Sequence, residues 1–164
     1  MGSMESRKKV TGVEVNLDVA RITVLGVPNR PGIAATLFAA LAEEGINVDA
    51  IVQGVSIEGT ADVSFTVRPA DRERAAAVIV GRVLYTVGAM GLHCEDGLAK
   101  VSIVGAGMLN TPGYAARMFR ALADEGINIK MITTSEIRIA CIVQLADAER
   151  AQQALRRAFE LEVP

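Results

Sequence analysis

Apolar and polar positions along the chain trace one series of elements and then repeat it. ARITVLGV, residues 20–27, is a β-branched run that stops at a turn and predicts a strand. Ile33, Leu37 and Leu41, with Ala34 and Phe38, then form an apolar stripe at helical spacing, while Thr36, Glu43 and Glu44 face water. Pro31 suits the first helical turn, where its missing N–H is not needed, and Gly45 stops the helix. INVDAIVQ (46–53) alternates, with Ile46, Val48, Ala50 and Val52 on one face and Asn47, Asp49 and Gln53 mostly on the other. The turn SIEGT leads into ADVSFTV, which alternates again. An alanine-rich helix over about 71–88 and a short strand at GLHCE complete the series.

The repeat is close. PGIAATLFAALAEEGIN at 31–47 returns as PGYAARMFRALADEGIN at 112–128, with twelve identities in the nineteen positions of 31–49 against 112–130. ITVLGV (22–27) matches VSIVGA (101–106), and INVDAIVQ matches INIKMITT (127–134). The loops ahead of the helices differ, VPNR against AGMLNT, so the second copy carries two extra residues there. A period near 80 is too long for a solenoid and fits two duplicated domains. The order βαββαβ predicts an α+β fold, a ferredoxin-like sandwich with two helices on one face of an antiparallel sheet.

Counting strands then sets the domain organisation. The second copy has a strand at 100–105, a helix at 112–125, strands at 127–134 and 137–145 and a helix at 147–160, but ends at LEVP without a fourth strand. The first copy has a surplus, because KKVTGVEVN (8–16) is itself strand-like. The economical solution inserts the first domain (20–97) into the second (10–19 plus 98–164), whose missing strand comes from the N-terminal segment. Residues 1–9 read as a tag or unstructured N-terminus, with Met4 a plausible natural start after MGS.

Composition narrows the chemistry. The apolar fraction of 51% is ample for buried cores, and a net charge of −2 from interspersed acids and bases gives no footprint for nucleic acid or an anionic membrane. No apolar run reaches the roughly 18 residues of a membrane span, and there is no signal-peptide pattern, so a cytoplasmic setting is the expectation. Cys94 and Cys141 lie in apolar runs without metal-ligand spacing and read as core residues. The single histidine, His93, falls in a predicted strand and reads as a structural or surface residue. P-loop, GxSxG and HExxH patterns are absent. Gly105-Ala-Gly107 shares two glycines with a dinucleotide fingerprint, but the third is misplaced. Glu43, Glu44, Asp124 and Glu125 read as solvated helix ends. Neither catalysis nor a cofactor or metal is expected.

Binding is better supported. A strand turning through a short loop into a helix that begins Pro-Gly presents backbone N–H groups whose dipole favours a carboxylate, by about 0.3–1 kcal/mol at exposed sites. Gly32 and Gly113 remove the side chain where a ligand approaches, and Gln53 or Asn128 on the next strand could take up the ligand's other groups. An equally weighted reading is that the glycines merely let helix and sheet pack closely.

ITVLGVPNRPG, GINVDAIVQ, AKVSIVGAGM and ITTSEIRI, in this order and spacing, resemble the paired ACT domains of aspartate kinase over nearly the whole chain from about residue 10. The resemblance implies the inserted arrangement. It also implies a regulatory part, or β subunit, that receives threonine, lysine or both as feedback signals in the route to lysine, threonine and methionine. The inhibited partner is a separate amino-kinase subunit that phosphorylates aspartate, and its catalytic motifs are absent here. A homodimer is implied, each effector pocket combining Asn29, Gly32, Ile33, Ala34 and Gln53 of one chain with Tyr114, Ala115, Asn128 and Ile129 of the other. Backbone groups would hold the ligand's carboxylate and ammonium, and Gln53 would read its side chain. Ser135 and Glu136 would lie near a coupling or dimer surface.

Four positions depart from the family pattern. Asn29 stands where aspartate is common, Tyr114-Ala115 replaces Val-Thr, and QGVS replaces QNVS. An unpaired buried hydroxyl costs about 1–3 kcal/mol, so these changes bear on threonine affinity. Two rival readings are a standalone tandem ACT sensor for another enzyme or regulator and a dimerisation module with degenerate pockets. An RNA-binding role is disfavoured by an aromatic content of 4% and the lack of a basic sheet face.

Overall fold

The computed structural model describes residues 9–161. The expected tag therefore lies outside the described residues apart from Lys9, as does most of LEVP. The elements are β1 (Gly12–Pro28), α1 (Ile33–Glu43), β2 (Asp49–Val55), β3 (Thr60–Val67), α2 (Pro69–Val78), a wide π-helical turn (Ile79–Val83) and α3 (Leu84–Val87). They continue with β4 (Gly91–Val104), a 3-10 turn (Met108–Asn110), α4 (Tyr114–Asp124), β5 (Met131–Ser135), β6 (Arg138–Gln144), a second 3-10 turn (Leu145–Asp147) and α5 (Ala148–Ala158).

Two compact units result. One is Asp18–Leu98; the other takes the chain up to Leu17 and from Ala99 onward, so the first copy is inserted into the second. The strand order is β4-β1-β3-β2 within the inserted unit and β1-β4-β6-β5 within the enclosing one. Both are the ferredoxin-like order, with the N-terminal strand completing the enclosing sheet. The β1–β3, β2–β3 and β5–β6 pairs are antiparallel.

β1 and β4 are each longer than the sequence suggests, because two expected strands merge in each. Asn16–Asp18 lies within β1 and Glu95–Gly97 within β4, and neither stretch contains proline, the residue that removes a ladder donor. The helix expected at 71–88 begins at Pro69, an N1 proline whose missing N–H has no partner to lose, and its second half widens into the π turn around Gly81.

Each unit has its own core. In the inserted unit Ile22, Val24, Val63 and Phe65 from the sheet meet Leu37, Leu41, Ile79 and Val83 from the helices. Phe38 of α1 stands edge-on to Phe65, ring centroids 5.3 Å apart at 73°. In the enclosing unit Val10, Val13, Val101, Ile103, Cys141 and Val143 meet Met118, Leu122, Ala151 and Leu155. Full burial of each large side chain contributes about 1.5–3 kcal/mol. Ala34, assigned to the apolar stripe from its spacing, is instead exposed; Ile33, Leu37, Ala40 and Leu41 are the residues α1 buries.

The carboxylates at the helix ends are paired with arginines. Arg82, on the π turn, bonds Glu43 and reaches Glu44 at 3.2 Å. In the other copy Arg157 reaches Glu125 at 3.2 Å, and Arg120 lies 3.8 Å from Asp124. A carboxylate at a helix C-terminus opposes the dipole, and these arginines offset that cost.

Candidate functional site

The two Pro-Gly helix starts share one geometry. Gly32 is the N-cap of α1 with φ 92°, and Gly113 is the N-cap of α4 with φ 106°. The carbonyl of Gly32 accepts Thr36 N–H at 3.0 Å and Thr36 Oγ1 at 2.9 Å, and the carbonyl of Gly113 accepts Arg117 N–H at 2.9 Å. No side chain caps either helix. Pro31 and Pro112 therefore precede the helices instead of sitting in their first turns, because a left-handed N-cap cannot be part of the helix. A Cβ added to Gly32 or Gly113 meets no atom within 4 Å. Close packing is thus not the reason for glycine at these points; the left-handed backbone is, and open space lies beside it.

A second glycine pair is different. A Cβ on Gly105 would lie 1.6 Å from the carbonyl oxygen of Lys9, where the N-terminal strand crosses. A Cβ on the equivalent Gly26 would lie 2.5 Å from Met90. The entering strands are tied at matching places, Thr11 N–H to Val104 O and Met90 N–H to Leu25 O, both 2.8 Å. In the Gly105-Ala-Gly107 pattern, Gly105 is explained by this close approach and Gly107 by its left-handed φ of 78° at the start of the 3-10 turn.

The inserted unit carries two bulges that the β5–β6 pair lacks. β1 gains a residue between Val24 and Val27, with Gly26 at φ 59°. β2 gains one between Asp49 and Val52, with Ala50 at φ 45°. The second bulge resets the alternation read from the sequence. Asp49 lies opposite Thr66, whereas Gln53 lies opposite Val63, a core residue packed beneath α1. Cross-strand partners share a face, so Gln53 belongs to the face covered by α1 and is separated from Asp49. Asn29, between that helix and β1, donates its N–H to Gly59 O at 3.1 Å, tying the helix-start loop to the β2–β3 turn.

In the enclosing unit a cleft of about 280 Å3 at the start of α4 is lined by Thr111, Pro112, Gly113, Tyr114 and Arg117. Thr111 Oγ1 accepts a hydrogen bond from Lys9 Nζ. Tyr114 stacks on Phe159 at 6.3 Å between centroids, and the Arg117 guanidinium lies 4.8 Å from the same ring. Burial pushes the Cys141 thiol up to about 12, while Cys94 is half-buried and His93 exposed. Among the described residues no three His, Cys, Asp or Glu side chains are grouped to hold a metal ion, and no helix is long and apolar enough to cross a membrane.

Comparison with known proteins places this geometry. ACT domain family patterns match residues 21–79 and 101–159. The chain is 46% identical over 162 residues to an aspartokinase of Thermus thermophilus, covering 98% of this chain and 40% of that protein. A solved regulatory subunit of aspartate kinase from Thermus thermophilus, in a ligand-free form, is 45% identical with a TM-score of 0.86, covering 93% of this chain and 99% of that one. The chain belongs to the family of aspartate kinase regulatory subunits. A chain from a structure of aspartokinase alpha and beta subunits is 41% identical with a TM-score of 0.85, over 93% of this chain and 99% of that one. The protein thus corresponds to the regulatory part of aspartate kinase, and spans about two fifths of the longer relative.

Within this regulatory part, Asn29, Gly32, Ala34 and Gln53 are exposed, and Ile33 is buried, so only its backbone is available to a ligand. Asn128 is exposed, while Tyr114, Ala115 and Ile129 are half-buried against the enclosing core. Ser135 and Glu136 are exposed at the β5–β6 turn. Sequence reasoning passed over Asp62, whose Oδ1 accepts Gly26 N–H at 2.9 Å inside the β1 bulge. Its only sequence signal is an acid in the alternating run ADVSFTV, which becomes informative once the bulge is known.

Proposed function

We propose that this chain senses an amino acid on behalf of aspartate kinase. It binds threonine, lysine or both, at pockets completed by a second copy of itself, and transmits feedback inhibition to a catalytic subunit that phosphorylates aspartate. The observation that carries the reading is the pair of uncapped helix starts behind left-handed glycines, each with unfilled space where a side chain would stand. Backbone N–H groups at such a terminus suit an α-carboxylate. Asn29 and Gln53 are the exposed polar side chains nearby in the fold for the ammonium and side chain of the ligand. The walls from the partner chain are assigned to Tyr114, Ala115, Asn128 and Ile129, with Ser135 and Glu136 at the coupling surface.

A ligand touching two chains favours their association by mass action, and it can bias the kinase only by its differential affinity for the two arrangements. Membership of the family supports the reading, as does the relative crystallised with alpha and beta subunits together. Titration calorimetry with threonine and then lysine, with the solution mass measured alongside, tests it. Saturable binding near one ligand per chain with a heavier species is expected; silence toward both amino acids would overturn it. The engagement of Tyr114 with Phe159 favours a second reading, a dimerisation module with degenerate pockets, and a dimer that ignores both amino acids is its signature.

A further inference from the structure

We infer that Asp62 is a positioning residue for the effector loop of the inserted unit, an inference that rests on the amino-acid-sensing reading above. A bulge interrupts the hydrogen-bonded ladder in which it sits. Where β1 gains a residue, between Val24 and Val27, one backbone N–H loses its regular partner on β3. In the enclosing unit, the equivalent glycine has an ordinary backbone partner: Gly105 N–H donates to Ile137 O at 2.8 Å. In the inserted unit the Asp62 carboxylate takes that place, accepting Gly26 N–H at 2.9 Å.

The bulge fixes where the chain goes next. Gly26 is held in its left-handed conformation from two other directions, by Met90 N–H on Leu25 O at 2.8 Å and by the Met90 side chain packed where a Cβ would be. Val27 re-enters register opposite Ala61, Pro28 follows opposite Thr60, and Asn29 then bonds Gly59. Three residues further on stands Gly32, the start of α1. Asp62 is therefore the side chain that decides the angle at which Asn29–Gly32 leaves the sheet. It is exposed and belongs to no core. A charge-assisted bond to a backbone N–H is a strong one, and asparagine, whose Oδ1 also accepts, can replace its geometry.

The test compares the full chain with Asp62→Ala and Asp62→Asn, reading amide hydrogen exchange at Gly26 and Asn29 together with the dissociation constants for L-threonine and L-lysine. Asp62→Ala is expected to speed exchange at both amides by about tenfold and to weaken the bound amino acid by about fivefold, with Asp62→Asn restoring both to within about twofold. Unchanged exchange at Gly26 and Asn29, or loosened amides with unchanged affinity, overturns the positioning role. Failure of the wild-type chain to bind either amino acid overturns the sensing reading instead. In that case exchange alone decides, since loosening that spreads from Gly26 to Asn29 supports Asp62 as the residue that sets the loop, and loosening confined to Gly26 overturns it.

Discussion

Gln53 and Asp49 show how much one residue can move a site. A strict alternation would put both on one face of β2, whereas the extra residue at Ala50 sends Gln53 to the face shared with α1. Gln53→Ala is therefore expected to weaken effector binding by about fivefold, the worth of one ligand hydrogen bond, without shifting the unfolding midpoint. Calorimetry on the variant checks this, and an unchanged dissociation constant removes Gln53 from the pocket. Cys141 gives a second residue-scale prediction. Its folded value of about 12 lies above the ordinary thiol value of 9.0, because burial disfavours the thiolate. The folded state then holds a proton that the unfolded state has released between those values, so stability falls as pH rises through that window. The slope approaches about 1.4 kcal/mol per pH unit. Urea midpoints measured at pH 8, 9.5 and 11, compared between the wild type and Cys141→Ala, should show the extra alkaline loss in the wild type alone. A thiol reagent at neutral pH should modify Cys94 well before Cys141.

At the scale of elements, the fourth strand of each unit crosses the first at a glycine. Gly105→Ala sets a methyl group against the Lys9 carbonyl, a backbone atom that cannot rotate away. The start of the N-terminal strand must shift, and a loss of about 1–3 kcal/mol is expected, visible as a lowered urea midpoint and faster exchange at Thr11. Gly32→Ala, where a Cβ meets nothing, should cost only the backbone strain of a left-handed alanine, about 1–2 kcal/mol. The order of elements and the insertion were legible in the sequence, because the duplicated phrase and the unmatched strand at residues 8–16 constrain the count of strands. The merging of strands into β1 and β4 was not, since the polar runs Asn16–Asp18 and Glu95–Gly97 carry turn-like residues. The helix-start glycines were legible as candidate ligand positions but not as left-handed caps, and the bulges were not legible, because where an extra residue enters a strand is set by its pairing with the neighbouring strand. Asp62 went unnoticed for the same reason.

For the whole molecule, association is the property to measure. If threonine or lysine bridges two chains, a ligand present at about 100 times its dissociation constant should stabilise the protein by about 2.7 kcal/mol, and the effect should grow with protein concentration. A thermal midpoint that rises with ligand but not with protein concentration would place the pocket inside one chain. The inserted topology has a further consequence, for synthesis. The strand that completes the enclosing unit leaves the ribosome before the inserted unit, whereas the second half of β4, and β5 and β6, follow it. Domains generally fold as units while the chain is being made. Asp18–Leu98 can therefore close around its own core while Val10 and Val13 wait, unburied, for partners that come last. The protein's most exposed moment is thus an interval in its making, and its length is set by the size of the domain in between.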